Sequence, residues 1–288
     1  MRAASRKQTP PIPKDLQGKA EPDKDRYRIR AVDRALRVLV LLSDGKPRNL
    51  NELSEETGID SSTIFRLLST LSYHNFVVYG GRSSGYRLEH ACLELASAYL
   101  EGNDLRRSAL PDLELLRDTT GETVHLGILD QMEVIYIEKL QGHHAIGLMS
   151  SQVGGRAPAY CTGLGKALLA HENSSRVLEH FSRQGLQAFT SNTIPTVDVL
   201  MSHLEMIRLR GYALDLGEHE PEVRCVGAPL FDITGKVVAA ISITGPRSRL
   251  DPLETRQELF RTTLETAKRI SDKLGYHIPR AMEDVKKP

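Results

Sequence analysis

Residues 50–88 constrain this chain more than any other stretch, because helical and strand periodicities alternate there in a fixed order. Leu50-Asn51-Glu52-Leu53-Ser54-Glu55-Glu56-Thr57 puts Leu50 and Leu53 on one side of a short helix, and Gly58 can leave it with positive φ. Ile59 plugs the turn, and Asp60 is a good N-cap for a helix over about 61–74. In that helix Ile64, Leu67, Leu68 and Leu71 make one apolar stripe at i, i+3, i+4 and i+7. Residues 75–79 are β-prone, 80–85 form a Gly/Ser loop and 86–88 return as a strand, which is a hairpin signal. An earlier helix, 29–42, is expected to bring Val32, Leu36 and Leu39 together over the pair. The order is that of a winged helix-turn-helix, which lays one helix in the DNA major groove.

The opposite side of the 61–74 helix supports that reading. Ser61, Ser62, Phe65, Arg66 and Ser69 fall there, with Thr63 at the same end. Arginine can grip guanine bidentately, hydroxyls reach phosphates or bases, and an apolar ring can meet a thymine methyl. Arg82 sits at the hairpin tip, beside the phosphates in such a complex. These seven residues are the candidate DNA contacts. Charge is distributed to match: residues 1–90 carry 16 Lys+Arg against 11 Asp+Glu, whereas the remainder carries 22 against 26. A basic amino-terminal module on a mildly acidic body fits phosphate contact at one end.

The remaining composition narrows the class. Cys92, Cys161 and Cys225 are widely spaced with no C-x-x-C, which argues for reduced thiols in the cytoplasm. No apolar run approaches the roughly 18–20 residues that span a bilayer, and the amino terminus lacks an apolar signal core. Residues 1–25 read as a flexible basic tail, 26–88 as the winged module, 89–103 as an Ala/Leu-rich linker helix and 104–282 as a second domain. In that domain a helix over 104–117 contains Pro111, which kinks or restarts it. Strands are expected over 123–129, 133–140, 145–149, 224–231 and 236–244. Helices are expected over 165–172, 175–184, 197–210 (stopped by Gly211) and 252–274. Consecutive antiparallel strands flanked by helices mark an α+β sensor-like domain rather than parallel βαβ units.

Candidate chemistry is sparse. Gly163-Leu164-Gly165-Lys166 fails as a phosphate loop, because Tyr160 stands where the first glycine belongs and Ala167 where Ser/Thr belongs. What remains is a glycine turn entering a helix, which either packs Ala159 and Leu164 or offers backbone N–H groups to a small anion. The ten histidines show no ligand spacing, so no metal is expected. Cys225 lies in an apolar strand with no activating motif, so it reads as a buried small hydrophobe, not a nucleophile. Ser242 and Thr244 alternate with Ile241 and Ile243, so both hydroxyls share a face, and Cys225 can join them from the next strand. Such a face suits a small polar ligand. Neither catalytic residues nor a cofactor is indicated; an enzyme domain fused to a helix-turn-helix is the alternative.

Taken with Ala31-Val32-Asp33-Arg34-Ala35-Leu36, Ser62-Thr63-Ile64-Phe65-Arg66-Leu67-Leu68 and Cys161-Thr162-Gly163-Leu164-Gly165-Lys166-Ala167, three later motifs carry a family resemblance. They are Arg210-Gly211-Tyr212-Ala213-Leu214-Asp215, Val223-Arg224-Cys225-Val226-Gly227-Ala228-Pro229 and Ala240-Ile241-Ser242-Ile243-Thr244-Gly245-Pro246. The chain resembles the IclR family of bacterial transcriptional regulators over nearly its whole length. The resemblance implies a GAF/PAS-like effector-binding domain and a homodimer or dimer of dimers on a palindromic double-stranded operator. It also implies a small organic acid as effector, held by Gly163, Leu164, Asp215, Val223, Cys225, Ser242 and Thr244. Thr244 replaces a frequent serine and Tyr160 a common histidine, changes that alter the size or polarity of the pocket.

Overall fold

The computed structural model describes residues 28–81, 84–143 and 150–276. The tail 1–25, Arg82 and the strand expected over 145–149 lie outside the described residues. Contacts divide the chain into two compact units, one ending at Tyr99 and the other beginning at Leu100.

The first unit has helices α1 (Arg30–Leu42), α2 (Leu50–Thr57) and α3 (Ser61–Tyr73), then the hairpin β1 (Val77–Tyr79) and β2 (Tyr86–Leu88). The boundaries follow local chemistry. Asn49 accepts from the Asn51 and Glu52 amides while the Glu52 carboxylate accepts from the Asn49 amide, a reciprocal capping box. Gly58 closes α2 at φ +66°, and Asp60 caps α3 by accepting from the Thr63 amide. Val38, Leu42, Leu53, Ile59, Ile64, Leu68, Leu71 and Val77 form the core. One expectation fails here: Val32 and Leu36 are more than half exposed, and only Leu39 of that trio packs on the core. Helix α1 carries two apolar stripes, and α2 with α3 can cover only one of them. Packing selects Ala35, Val38, Leu39 and Leu42, which are spaced i, i+3, i+4 and i+7.

Arg48 ties the module together. Its guanidinium donates to the Leu41 carbonyl at 3.0 Å, to both Asp44 oxygens and to Glu56. Its backbone exchanges hydrogen bonds with Tyr86, at 3.0 and 2.7 Å, joining the helices to the wing. Gly85 sits beside it at φ +58°, where a Cβ would lie 2.7 Å from the Arg48 carbonyl. That position admits glycine alone.

Helix α4 (His90–Gly102) crosses the division between the units and buries none of its side chains. The second unit continues with α5 (Asp104–Thr120), which runs on through Pro111, then β3 (Thr123–Asp130), β4 (Glu133–Leu140) and β5 (Arg156–Pro158). Next come α6 (Gly163–Leu169), α7 (Ser174–Gln184), α8 (Val197–Arg210) and β6 (Ala213–Asp215). The long hairpin of β7 (Val223–Phe231) and β8 (Val237–Pro246) follows, then α9 (Arg247–Leu250) and α10 (Gln257–Lys273). The six strands form one antiparallel sheet in the order β5-β4-β3-β8-β7-β6. Val124, Leu126, Ala228, Ile241 and Ile243 line one face and pack on α5 and α10. Asp112 of α5 accepts from Arg269 and Lys273 of α10, which pins those helices to each other. Helix α6 lies on the other face, with α7 and α8 packed behind it. Among the described residues, no helix is long and apolar enough to cross a membrane.

Replacing Arg48 by alanine strips charged donors from the half-buried Leu41 carbonyl and from two carboxylates that are partly exposed. Solvent screens the carboxylate pairs, so the first unit should lose about 1–2 kcal/mol, mostly through the carbonyl. Urea unfolding with hydrogen exchange at α2 and the wing measures this; unchanged protection would contradict it.

Candidate functional site

The two candidate sites are built differently. On α3, Ser62, Phe65, Arg66 and Ser69 are exposed, while Ser61 and Thr63 are half-buried at its first turn. Ser62 donates to the capping Asp60 at 2.7 Å, and Ser69 donates back to the Phe65 carbonyl. Arg66 engages no carboxylate among the described residues, and the Phe65 ring is 56 % exposed. A bare phenyl ring beside an unneutralised guanidinium is poor solvent design but good groove chemistry.

In the second unit, strand register assembles the site on the α6 face of the sheet. Asp215 pairs with Cys225, Cys225 with Thr244, and Thr244 with Thr123. One step along, Gly227 pairs with Ser242 and Ser242 with His125. Directly paired residues share a face, so Asp215, Cys225, Thr244, Ser242 and His125 form one polar patch amid apolar strands. Every member is buried. Thr244 Oγ1 donates to Cys225 Sγ at 3.4 Å, and His125 Nδ1 lies 3.3 Å from Thr244 Oγ1 and 3.5 Å from Ser242 Oγ. His125 Nε2 is 2.9 Å from Ser151 Oγ, and the Tyr136 ring packs 5.2 Å from the imidazole.

Helix α6 descends onto this patch at backbone distance. A Cβ on Gly227 would lie 2.4 Å from the Gly163 carbonyl oxygen, and one on Gly163 would meet Cys225 Sγ at 2.8 Å. A Cβ on Gly165 would strike the Ala159 backbone at 2.4 Å. The glycine turn is thus first a packing device. It also brings the Leu164 amide to the Cys225 sulfur, a weak acceptor that a stronger one could displace. Thr162 already accepts from the Gly165 amide. Gly163, Leu164, Asp215, Cys225, Ser242 and Thr244 therefore come together, with Val223 buried two residues along the same face.

Burial sets the protonation states. It lowers the His125 imidazole to about 3, aided by the charge of Lys139, so the ring is neutral near pH 7. Burial, and then the charge of Asp215, raises the Cys225 thiol to about 11. Asp215 accepts from the Gly217 and Glu218 amides, yet burial and the neighbouring Glu218 carboxylate raise it to about 7. Near neutrality it divides between acid and carboxylate, so it can donate as well as accept. Behind it, the fully buried Lys166 of α6 pairs with Glu218. Protonated thiol, neutral imidazole and hydroxyls make a receptor for polar groups, with no activated nucleophile. Among the described residues, no cluster of His, Cys, Asp and Glu could hold a metal ion.

Sequence reasoning missed His125, Tyr136, Lys166 and Glu218. His125 had a signal: Thr123, His125 and Gly127 alternate with Val124, Leu126 and Ile128. Glu218 had none, because its partner Lys166 lies fifty-two residues away. Gly227→Ala should displace α6 and cost about 1–3 kcal/mol as an overpacked contact. Thermal unfolding of the purified chain checks this, and a melting temperature like that of the parent would count against it.

Comparison with known proteins converges on one family. A model of the IclR helix-turn-helix domain matches residues 31–81, and a model described as Bacterial transcriptional regulator IclR C-terminal matches 97–272. The HTH-type transcriptional regulator KdgR of Escherichia coli is 33% identical over 258 residues, spanning 90% of this chain and 97% of that protein. The crystal structure of Thermotoga maritima IclR superposes with a TM-score of 0.66 at 32% identity, covering 86% of this chain and 100% of the other. An IclR homologue from Microbacterium hydrocarbonoxydans, complexed with 4-hydroxybenzoate, gives 0.72 at 25% identity over 85% of this chain and 98% of its own.

Proposed function

The chain belongs to the IclR family of bacterial transcriptional regulators, and on that premise we propose that it reads a palindromic operator under the control of a small organic acid. It is a DNA-binding regulator, as its relatives are, and not an enzyme. In this reading Ser61, Ser62, Thr63, Phe65, Arg66 and Ser69 face the major groove from α3, and Arg82 meets phosphate from the wing. The acid lies against the Gly163 and Leu164 backbone and among Asp215, Val223, Cys225, Ser242 and Thr244, with His125 as a further contact. One observation carries the choice of ligand: a buried row of neutral donors with an acid poised near neutrality beneath it. A carboxylate can take hydrogen bonds from Ser242, Thr244, the Leu164 amide and protonated Asp215. The 4-hydroxybenzoate of the Microbacterium homologue is an acid of that class.

Self-association belongs to the same proposal. Ile29, Val32, Leu36 and Val40 of the α1 region, with Leu93, Leu95 and Tyr99 of α4, are large apolar residues left in water. Exposed apolar surface of this kind marks an interaction face, and two α3 helices on two half-sites require two chains. Effector binding then changes operator affinity by altering how the paired helices span their half-sites, a linkage that is reciprocal. The setting is the cytoplasm, where free thiols persist.

Titrating glyoxylate, pyruvate and 4-hydroxybenzoate against the full-length protein on DNA from upstream of its own gene tests the proposal. At least one acid should shift operator affinity about fivefold or more. Ser242→Ala should lose the response while keeping DNA binding. If no acid both binds and shifts the operator complex, the acid assignment fails. The sign of the pH effect is fixed: protonated Asp215 donates to a carboxylate and ionised Asp215 repels it. Acid affinity should therefore be high below pH 7 and fall as pH rises past about 7. Calorimetry at pH 6 and pH 8 reads it, and Asp215→Asn should flatten the profile. Arg66→Ala should cost about 1–3 kcal/mol on the operator and much less on unrelated DNA. Equal loss on both would make Arg66 a phosphate contact.

A further inference from the structure

The polar row of the second unit does not end at His125. Strand pairing sets Lys139 opposite His125 and Tyr136 opposite Gly127, so both β4 side chains stand on the α6 face beside the row. Unlike the row itself, they are only half-buried. Ser150 and Ser151 bring a third group to the same edge. The Ser151 carbonyl accepts from Lys139 Nζ, while the Ser150 amide and hydroxyl donate to Glu220 Oε1 at 3.2 and 2.6 Å. Two consecutive residues thus hold Lys139 and Glu220 near each other, and Glu220 is half-buried too.

We propose that Tyr136, Lys139 and Glu220 read hydroxyl groups on the effector, which is therefore a polyhydroxylated monocarboxylic acid. This rests on the acid site already proposed, with the carboxylate against Leu164, Cys225, Ser242 and Thr244.

Unused hydrogen-bonding capacity decides the chemistry. The Tyr136 ring packs 5.2 Å from His125, and among the described residues its hydroxyl has no partner. Burial, then Cys225, Glu220 and Asp215 around it, hold the phenol above its ordinary range, so it remains a donor at every physiological pH. Lys139 uses one of its three donors on Ser151 and makes no ion pair among the described residues. Glu220 keeps Oε2 open, because both serine bonds fall on Oε1. A hydroxyl group donates and accepts, and so answers all three. A hydrocarbon chain answers none and would shut water away from them. A second carboxylate is drawn to Lys139 but repelled by Glu220, and an ammonium meets the reverse, so the edge favours a neutral polar group. Length agrees. Strands β7 and β4 are three steps apart in the sheet, about 14 Å, so an acid of several carbons reaches from Cys225 toward this edge better than the shortest ones do.

Calorimetric titration of the full-length protein with sodium D-gluconate, n-hexanoate and adipate tests this, since these six-carbon acids differ in hydroxyls and charge. Gluconate should bind at one site per chain, about tenfold more tightly than hexanoate or adipate. Tyr136→Phe removes an oxygen that bonds nothing in the fold. It should weaken gluconate about fivefold or more while the melting temperature without ligand stays at the parent's value, which separates a lost contact from a damaged fold. Glu220→Gln keeps an oxygen for Ser150 and should also weaken gluconate, whereas relief of charge repulsion alone would strengthen it. Three results overturn the proposal: hexanoate binding as tightly as gluconate, adipate binding more tightly than gluconate, or gluconate binding either variant as tightly as the parent. If pyruvate or 4-hydroxybenzoate binds and gluconate does not, the acid site stands and the hydroxyl assignment falls; if no acid binds, both fall.

Discussion

The second unit depends on one steric condition, the approach of helix α6 to strand β7 without side chains between them. Gly227 and Gly163 meet backbone to backbone, and Gly165 meets Ala159 in the same way. A methyl on Gly227 or Gly165 would collide with main-chain atoms, which cannot rotate aside, and one on Gly163 would press on the Cys225 sulfur. The approach does two things for the chemistry. It seals the polar row of β6, β7, β8 and β3 from water, and so perturbs His125, Asp215 and Cys225. It also carries Lys166 into the interior, where it pairs with Glu218. A sheet face made hydrophilic by alternation becomes a buried polar row because a helix roofs it at close range.

The first unit solves a different problem with a single cation. Sixty-odd residues of winged helix bury few apolar side chains, and domains of that size are marginal. Arg48 offsets this by fastening the end of α1, the body of α2 and the wing at once, through two carboxylates, the Leu41 carbonyl and a backbone bridge. Locking those elements supports α3, whose exposed residues are the proposed DNA contacts. Rigid support beneath a reading face is what precise groove docking demands.

Much of this was legible in the sequence wherever the determining interactions are local. Gly58, Asp60 and Gly211 end or begin helices by chemistry confined to one turn, and the alternation of Ser242 and Thr244 with Ile241 and Ile243 fixed the face of β8. The short edge strands β5 and β6 escaped because three residues cannot display a period. The misassignment of Val32 and Leu36 arose from competition: α1 has two apolar stripes, and only tertiary packing chooses between them. The site divides the same way. Asp215, Cys225, Ser242 and Thr244 could be named from motif and alternation, but Lys166 with Glu218 is a contact across the fold that no spacing encodes. Arg48 likewise acts through partners on α1, α2 and the wing that no local pattern encodes.

Helix α4 joins the two units while burying nothing of its own. Isolated helices of that length are marginal in water, since nucleation costs more than a few turns of hydrogen bonds return. Its winding is therefore a thermodynamic variable rather than a fixture. Whatever covers Leu93, Leu95 and Tyr99 also tightens the joint, so stiffness of the connection rises and falls with occupancy of that flank. Under the proposed self-association, the stiffness of that connection would follow protein concentration.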